Sequence, residues 1–196
     1  MRPSITFIHA ADLHLDSPFK GLMDVPEEIF QSVRNSTFAA FDRLIDVAIE
    51  KQVDFVLIVG DLFDHERQSL KAQLHLRDGF ERLHNEGINV YLSYGNHDYT
   101  SGNPYPIEYP QNVFVFPNEE ISSFIYEKAG QKLAQIYGFS YEKRAVTEKK
   151  AVQYKVTNHE IPFHIAMLHG MIHGASEHDP YAPFRLEDLR NEPFDY

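Results

Sequence analysis

The sequence predicts an α/β fold in which a buried parallel sheet is flanked by helices. Three apolar runs, at residues 5–8, 55–59 and 90–94, lack the alternation of a half-exposed strand, as is typical of strands buried on both faces of a parallel sheet. Segments with apolar residues at helical spacing separate these runs, so the predicted element order is β-α-β-α-β. A polar block follows each run: DLH at 12–14, GDLFD at 60–64 and GNHD at 95–98.

Two helices are predicted between the strands. The first begins at residues 26–28, where a proline and two glutamates suit the first turn of a helix, and its apolar positions continue to Ile49. The second covers residues 68–85 and closes at Gly87, because glycine is common just after the end of a helix. The third strand then spans residues 88–94.

The second half of the chain predicts a smaller set of strands. They lie at residues 113–116, 122–128, 132–141 and 163–168. The second and third of these form a hairpin around a turn that contains Gly130. Residues 142–158 are polar and charged, which is typical of either a helix or an exposed connection. The last strand leads directly to His169.

Length and composition indicate one globular domain that covers residues 1–196. There is no cysteine, which excludes disulfides and thiolate metal sites. No apolar stretch reaches the length of a membrane span and no signal-peptide pattern precedes the first strand, so we expect a cytoplasmic protein without membrane contact. The 18 basic and 29 acidic residues give a net charge of -11, the reverse of a simple DNA-binding footprint. Because no basic stripe is clustered in the sequence, a phosphate-bearing substrate would be held by metals, by a partner or by a further segment.

The polar blocks contain the residue types of a dinuclear metal site. Open α/β sheets bind ligands beyond the carboxyl ends of their strands, where the three blocks and His169 fall. Asp12 and His14 are two residues apart on an extended segment and therefore point the same way. Asp61, at the next strand end, is the natural bridge between two ions, and Asn96 adds an amide oxygen. Oxygen and nitrogen ligands without sulfur favour two divalent ions about 3.5–4 Å apart, Mn with Fe or Zn as alternatives.

In this order along the chain, the three blocks and the pair His169-Gly170 resemble the calcineurin-like metallophosphoesterases. More narrowly, ADLHL at 11–15 and GDLFD at 60–64 are similar to the SbcD/YhaO-type DNA repair exonucleases. The resemblance covers essentially the whole chain and implies an α/β/β/α sandwich, with central mixed sheets flanked by helices. It also implies metal-dependent phosphodiester hydrolysis of DNA by metal-activated water, a homodimer and an ATPase partner subunit.

The resemblance implies a role for each site residue. The metal ligands that it implies are Asp12 and His14 for the first ion, Asp61 as the bridge, and Asn96 and His169 for the second ion. His97 is the candidate general acid or stabiliser of the leaving oxygen, and Asp98 would fix its orientation. Gly60 and Gly95 would allow sharp exits from the strands beside the metals.

One departure from the family pattern is large. The family closes its site with a Gly-His-x-His block on a later strand, and no such block exists in these 196 residues. Residues 186–189 resemble the short helix before that strand, and residues 194–196 resemble its beginning. We therefore expect an incomplete nuclease domain that lacks its last strands and any capping domain, binds metal weakly and has little or no activity.

Several assignments stay open at this stage. Asp64 suits a ligand-shell role and a capping role equally, and His65 beside it could reach the cleft. His173 competes with His169, which is favoured because it follows directly on a strand. The tyrosine-rich residues 99–109 favour loop packing over a platform for base stacking. Two other functions are open: a phosphoesterase that acts on nucleotides or phosphoproteins, and a metal-poor binding scaffold.

Overall fold

Two stacked sheets and two helices make up the fold. The computed structural model describes residues 3–17, 26–64, 68–102, 107–172, 181–190 and 192–196. Within these ranges, no helix is both long enough and apolar enough to cross a membrane.

The first sheet contains four parallel strands in the order β1-β2-β3-β4. They are β1 (Phe7–Ala10), β2 (Phe55–Val59), β3 (Asn89–Ser93) and β4 (Val113–Val115). Ala10 lies beside Ile58, and Val59 lies beside Ser93. The predicted parallel sheet is therefore confirmed, and its first three strands end almost level, so the polar blocks that follow them leave the same edge.

Two helices cover one face of this sheet. Helix α1 (Glu27–Glu50) begins after Pro26 as predicted, and its buried side chains, which include Phe41 and Ile45, pack on the sheet. Helix α2 (Leu70–Asn85) begins two residues later than predicted, because the Ser69 side chain caps it by accepting a hydrogen bond from the Ala72 amide (3.1 Å).

The second sheet is mixed and packs against the other face of the first. It contains β5 (Ser122–Lys128), β6 (Gln131–Gly138) and β7 (Phe163–Ala166), with β5 antiparallel and β7 parallel to β6. Phe55 and Tyr91 of the first sheet share a buried cluster with Ile136 and Ile165 of the second. This cluster lies between the sheets, whereas the cluster under α1 and α2 lies on the opposite face of the first sheet.

Two strands of the second sheet are shorter than predicted. The strand predicted at 132–141 ends at Gly138, because the next residues turn toward the end of β3. There the Ser140 hydroxyl accepts a hydrogen bond from the Tyr94 amide (3.1 Å), and the Tyr141 amide donates to the Tyr94 carbonyl (3.1 Å). The strand predicted at 163–168 ends at Ala166. The turn of residues 139–141 toward β3 brings Tyr141 to the edge of the first sheet that carries the polar blocks.

The outer face of the second sheet is covered by residues 142–158. This segment is a connection with one short 3-10 turn at Lys150–Gln153, rather than a helix, and it buries Tyr154. Among the described residues this side of the sandwich therefore has no α-helical layer. Another 3-10 turn, at Asp188–Arg190, overlaps the short helix predicted at residues 186–189. Residues 194–196, where the beginning of a strand is predicted, are not assigned to a strand, but they run along β7, where the Asp195 amide donates to the His164 carbonyl (2.8 Å).

A buried carboxylate joins the two sheets at the edge opposite the polar blocks. Asp54 accepts hydrogen bonds from the Thr6 amide (2.7 Å), the Tyr126 hydroxyl (2.9 Å) and the Lys128 ammonium (2.6 Å). Burial raises the pKa of Asp54, but the hydrogen bonds and the positive charge of Lys128 outweigh this effect, so its pKa is lowered from the ordinary value. Asp54 is therefore an ionised link between β1, β2 and β5.

Candidate metal centre

Backbone hydrogen bonds continue past the strand ends and hold two of the polar blocks side by side. The Asp12 amide donates to the Gly60 carbonyl (3.2 Å), and the His14 amide donates to the Asp61 carbonyl (3.1 Å). The next amide, that of Leu15, donates to the carbonyl of Leu62 (2.9 Å). The loop after β1 is thus fixed against the loop after β2, and its side chains have defined positions.

The predicted ligands converge at this edge. One ligand atom from each of Asp12, Asp61 and His169 lies within 4.8 Å of the other two. The His169 Nε2 atom is 3.5 Å from Asp61 Oδ2 and 3.0 Å from Asn96 Oδ1. His14 Nε2 is 3.9 Å from Asp12 Oδ1. The five predicted ligands therefore form one cluster of oxygen and nitrogen donors, and their role as metal ligands stays a prediction.

Three residues of this cluster have backbone conformations that residues other than glycine rarely adopt. The φ angles of Asp12, His14 and Asp61 are 54°, 43° and 51°. Such left-handed conformations cost on the order of 1 kcal/mol or more each and concentrate at functional sites. The strain is therefore consistent with a site in which the directions of the side chains matter more than local backbone energy.

Two glycines allow close packing around the central carboxylate. Gly60 has a φ of +72°, and a Cβ atom there would lie 2.5 Å from Cγ of His169. At Gly95, a Cβ atom would collide with the Asp61 carboxylate and lie 2.7 Å from the Asp61 amide. The glycines do more than let the strands turn, because they leave the space that His169 and Asp61 occupy.

Asp61 is the buried charge at the centre of the cluster, with 4% of its surface exposed. Burial raises its pKa, but a hydrogen bond and positive charge from His169 and the hydrogen bond from the His97 amide (3.1 Å) lower it further, so the net pKa is below the ordinary value. The imidazole of His169 thus lies beside the carboxylate of Asp61 and the amide of Asn96. Oxygen and nitrogen donors of this kind fit a divalent ion.

Aromatic side chains enclose His169, whose side chain is only 10% exposed. The Tyr181 ring stacks on its imidazole at 5.6 Å, and the Tyr141 ring contacts it edge-on at 6.0 Å. The Tyr141 hydroxyl also donates to the His169 carbonyl (2.8 Å). Burial lowers the pKa of His169, but Asp61 raises it more, and the net pKa is above the ordinary value. Sequence reasoning missed both tyrosines, since only the fold brings them to the histidine.

The residue that lies against His97 is Asp64 rather than the predicted Asp98. The His97 Nδ1 atom donates to the Asp64 carbonyl (3.2 Å) and is 3.9 Å from Asp64 Oδ1. The Asp98 carboxylate instead accepts hydrogen bonds from the amides of Leu62 and Gly95, both at 2.6 Å. Asp98 thus ties the loop that carries His97 to the loop after β2. Its burial, together with the negative charge of Asp61, raises the pKa of Asp98 to about 7.

Asp64 lies against His14 and His97 at the edge of the donor cluster. Its Oδ1 atom is 3.4 Å from Nδ1 of His14, and its Oδ2 atom accepts a hydrogen bond from the Ser17 hydroxyl (3.0 Å). The cap of the following helix is Ser69, not Asp64. The two other histidines considered for the cleft, His65 and His173, both lie outside the described residues.

The tyrosines of residues 99–109 are described in part. Tyr109 packs edge-on against Phe80 (5.4 Å), and its hydroxyl is 3.1 Å from that of Tyr94. This arrangement agrees with the loop packing favoured from the sequence.

Stacked α/β layers with an oxygen- and nitrogen-rich donor cluster at the strand ends define a metallophosphoesterase domain. The sequence model of the calcineurin-like phosphoesterase family matches residues 5–195. The chain therefore belongs to the calcineurin-like phosphoesterase family, a family of hydrolases that use divalent metals. The resemblance inferred from the motifs is confirmed.

Individual relatives agree with this assignment. The chain is 49% identical over its whole length to the "Uncharacterized metallophosphoesterase YhaO" of Bacillus subtilis, of which it covers 48%. It is 35% identical over 92 residues to the "DNA double-strand break repair protein Mre11" of Methanocaldococcus jannaschii, an alignment that covers 47% of this chain and 23% of the relative. The Mre11 of Sulfolobus acidocaldarius is 27% identical over 165 residues, which is 83% of this chain and 40% of the relative. The chain thus spans half or less of the length of these relatives.

Proposed function

We propose that this chain is the nuclease domain of a DNA repair exonuclease, which hydrolyses phosphodiester bonds with a dinuclear Mn centre. The observation that carries the proposal is the buried Asp61 carboxylate 3.5 Å from His169 Nε2, with Asp12 and Asn96 beside them. The names of the Mre11 relatives support DNA as the substrate class. By resemblance to the same family, the proposal includes a homodimer, an ATPase partner subunit and a cytoplasmic location.

The proposed metal ligands are those implied by resemblance to the family, and their convergence in one cluster supports them. Asp12 and His14 would hold the first ion, and Asn96 and His169 the second, with Asp61 between them. When bound, the ions would supply Lewis acidity toward the phosphoryl oxygens and an activated water at neutral pH. The side chains supply the geometry, because packing and hydrogen bonds already hold them in place.

His97 is the residue of this chain that is suited to proton transfer. Its Nδ1 atom is occupied by the Asp64 carbonyl (3.2 Å), which leaves Nε2 available to a substrate. With the imidazole 37% exposed at the rim of the cluster, Nε2 of the protonated ring would donate a proton to the leaving oxygen. The contacts of Nδ1 with Asp64 would fix the orientation of the ring.

One observation favours a second candidate function. The net charge of -11 disfavours a long polyanionic substrate, and it would suit a phosphoesterase that acts on nucleotides or phosphoproteins. A metal-poor binding scaffold is a third reading, which the convergence of the donors makes the weakest of the three.

A substrate panel tests the proposal. The purified chain, supplied with Mn²⁺, would be assayed on single- and double-stranded DNA, on bis(p-nitrophenyl) phosphate and on p-nitrophenyl phosphate. Because no Gly-His-x-His block is present in these 196 residues, we expect only slow cleavage of DNA and of the diester, and Asp61→Asn should abolish both activities, because the proposed bridging charge is lost. Asp78→Asn is the matched control, since Asp78 is exposed on α2. Cleavage of the monoester alone would favour the second candidate, and activity unaffected by Asp61→Asn would refute the assignment of the site.

A further inference from the structure

The cations of this acidic chain are mostly engaged by its own carboxylates. Among the described residues, those that form an ion pair are Arg34, Lys51, Arg77, Arg82, Lys128, Lys149, Lys150, Lys155 and Arg185. Of the described residues, the exposed cations without an ion pair are Arg43, Lys71, Lys132, Lys143, Arg144 and Arg190, and among these only Lys143 and Arg144 are adjacent in the sequence. Two adjacent cations are therefore available to a ligand.

The fold fixes these two cations beside the metal centre. They lie in a bend whose first anchor is Tyr141, which donates to the His169 carbonyl (2.8 Å). The second anchor is Val146, whose carbonyl accepts a hydrogen bond from the Ala182 amide (2.6 Å), next to the ring that stacks on His169. Even a fully extended chain places the Lys143 Cα at most about 7 Å from that of Tyr141. The backbone of residues 143 and 144 therefore lies close to the residues that contact His169.

A further contact joins this bend to the loop that carries His97. The Thr100 amide donates to the Tyr141 carbonyl (3.0 Å), and the Ser101 hydroxyl donates to the Glu142 carbonyl (2.7 Å). The loop after β3 and the bend are thus held together. A substrate at the donor cluster would meet the two cations as it leaves the cleft.

We propose that Lys143 and Arg144 bind the backbone phosphates of a polynucleotide next to the phosphodiester held at the metal centre. The inference rests on the proposed function and deepens it, since it names the residues that would recognise a polymeric substrate. The guanidinium of Arg144 matches the geometry of a phosphate, and the ammonium of Lys143 adds a compact charge. A small diester has no neighbouring phosphate and gains nothing from the pair. The fold therefore supplies the basic surface that the sequence pattern did not reveal.

Binding measurements test the proposal without relying on catalysis. The probes are fluorescein-labelled single-stranded DNA and RNA of one sequence, with phosphorothioate linkages to resist cleavage, followed by anisotropy in Mn²⁺ at several salt concentrations. The test variant is Lys143→Ala with Arg144→Ala. The matched control is Arg43→Ala with Lys132→Ala, which removes the same charges from exposed positions on α1 and near the tip of the β5–β6 hairpin.

The test variant should bind both probes about tenfold more weakly. The slope of log Kd against log salt should fall by roughly 1.4, because each phosphate that is no longer neutralised by a cation lowers it by about 0.7. The control should match the unsubstituted chain. Equal weakening of the control, or no weakening of the test variant, would overturn the proposal. Loss of binding to DNA but not to RNA, or the reverse, would support it and identify the polymer.

Hydrolysis separates this proposal from the proposed function. The ratio of kcat/KM for DNA to that for bis(p-nitrophenyl) phosphate should fall about tenfold in the test variant. Equal losses on both substrates would show that the bend supports the centre rather than the polymer, and would overturn the proposal. If the unsubstituted chain binds the probes as expected but hydrolyses neither substrate, the proposed function fails while the phosphate site stands.

Discussion

Replacement of Gly60 by alanine should weaken the binding of divalent metal by about 10- to 100-fold. The added Cβ would lie 2.5 Å from Cγ of His169, whereas carbon atoms in contact are normally about 3.5–4.0 Å apart. The imidazole would therefore have to move by about 1 Å. Tyr181 stacks on one face of the ring and Tyr141 contacts it edge-on, so the ring can move only by leaving its position beside Asp61.

Gly87→Ala is the matched control for this substitution. Gly87 has a φ of +69°, close to the +72° of Gly60, but a Cβ atom there would have no atom within 4 Å. Both variants should lose about 1–2 kcal/mol of unfolding free energy, because alanine is strained in the left-handed conformation. Only Gly60→Ala should also displace a ligand.

Isothermal titration with Mn²⁺ and urea denaturation would measure the two effects separately. The expected pattern is a stability loss in both variants and an affinity loss confined to Gly60→Ala. If Gly60→Ala bound Mn²⁺ as tightly as Gly87→Ala, then either His169 is not a ligand or its ring moves without consequence, and the reasoning would be refuted.

Two further substitutions test the buried carboxylates. Asp54→Asn should lose about 1–3 kcal/mol of unfolding free energy at pH 7, because it removes a buried charge bonded to Lys128. The folded-state pKa of Asp54 is lowered, so this stabilisation is present above the ordinary carboxyl pKa of about 4 and is lost as pH falls through the folded-state pKa. Urea denaturation at several pH values should therefore show that the stability difference between the variant and the unsubstituted chain shrinks below about pH 4. A stability difference that stays constant with pH would contradict the assignment. Asp98→Asn should cost a similar 1–3 kcal/mol, because an amide has one acceptor oxygen for two backbone donors, and unchanged stability in urea would show that the two hydrogen bonds are dispensable.

The first half of the fold was predictable because its signals are local. Unalternating apolar runs gave β2 and β3, and the apolar spacing of α1 gave its buried face, which includes Phe41 and Ile45. The second sheet was harder, since the end of β6 depends on Ser140 and Tyr141 bonding to the end of a strand about 46 residues away in sequence. No local pattern encodes such a crossing.

In the candidate site, too, some features could be predicted from the sequence and others could not. Asp12 and Asp61 follow neighbouring strands of the parallel sheet, so the geometry of that sheet was enough to bring them to one edge. His169 follows β7 of the second sheet and reaches the same edge because the two sheets are stacked. The partner of His97 was assigned wrongly from the sequence, because Asp98 is its neighbour along the chain whereas Asp64 is its neighbour in space. The left-handed backbone angles of Asp12, His14 and Asp61 could not be predicted from the sequence either, since they accompany hydrogen bonds between two loops.

Those hydrogen bonds explain how the strained loop after β1 keeps its shape. Left-handed angles at Asp12, His14 and Asp61 each cost on the order of 1 kcal/mol or more. The three backbone hydrogen bonds that run from this loop to the loop after β2 each return about 0.5–1.5 kcal/mol, and burial of Leu15 adds to them. Strain and stabilisation are therefore of similar size before any cation binds. A metal ion would then bind to side chains whose loop is already ordered, so its binding energy would not be spent on ordering the loop. The loss of affinity on substituting a predicted ligand would therefore measure the missing metal–ligand bond and not a change in the conformation of the loop.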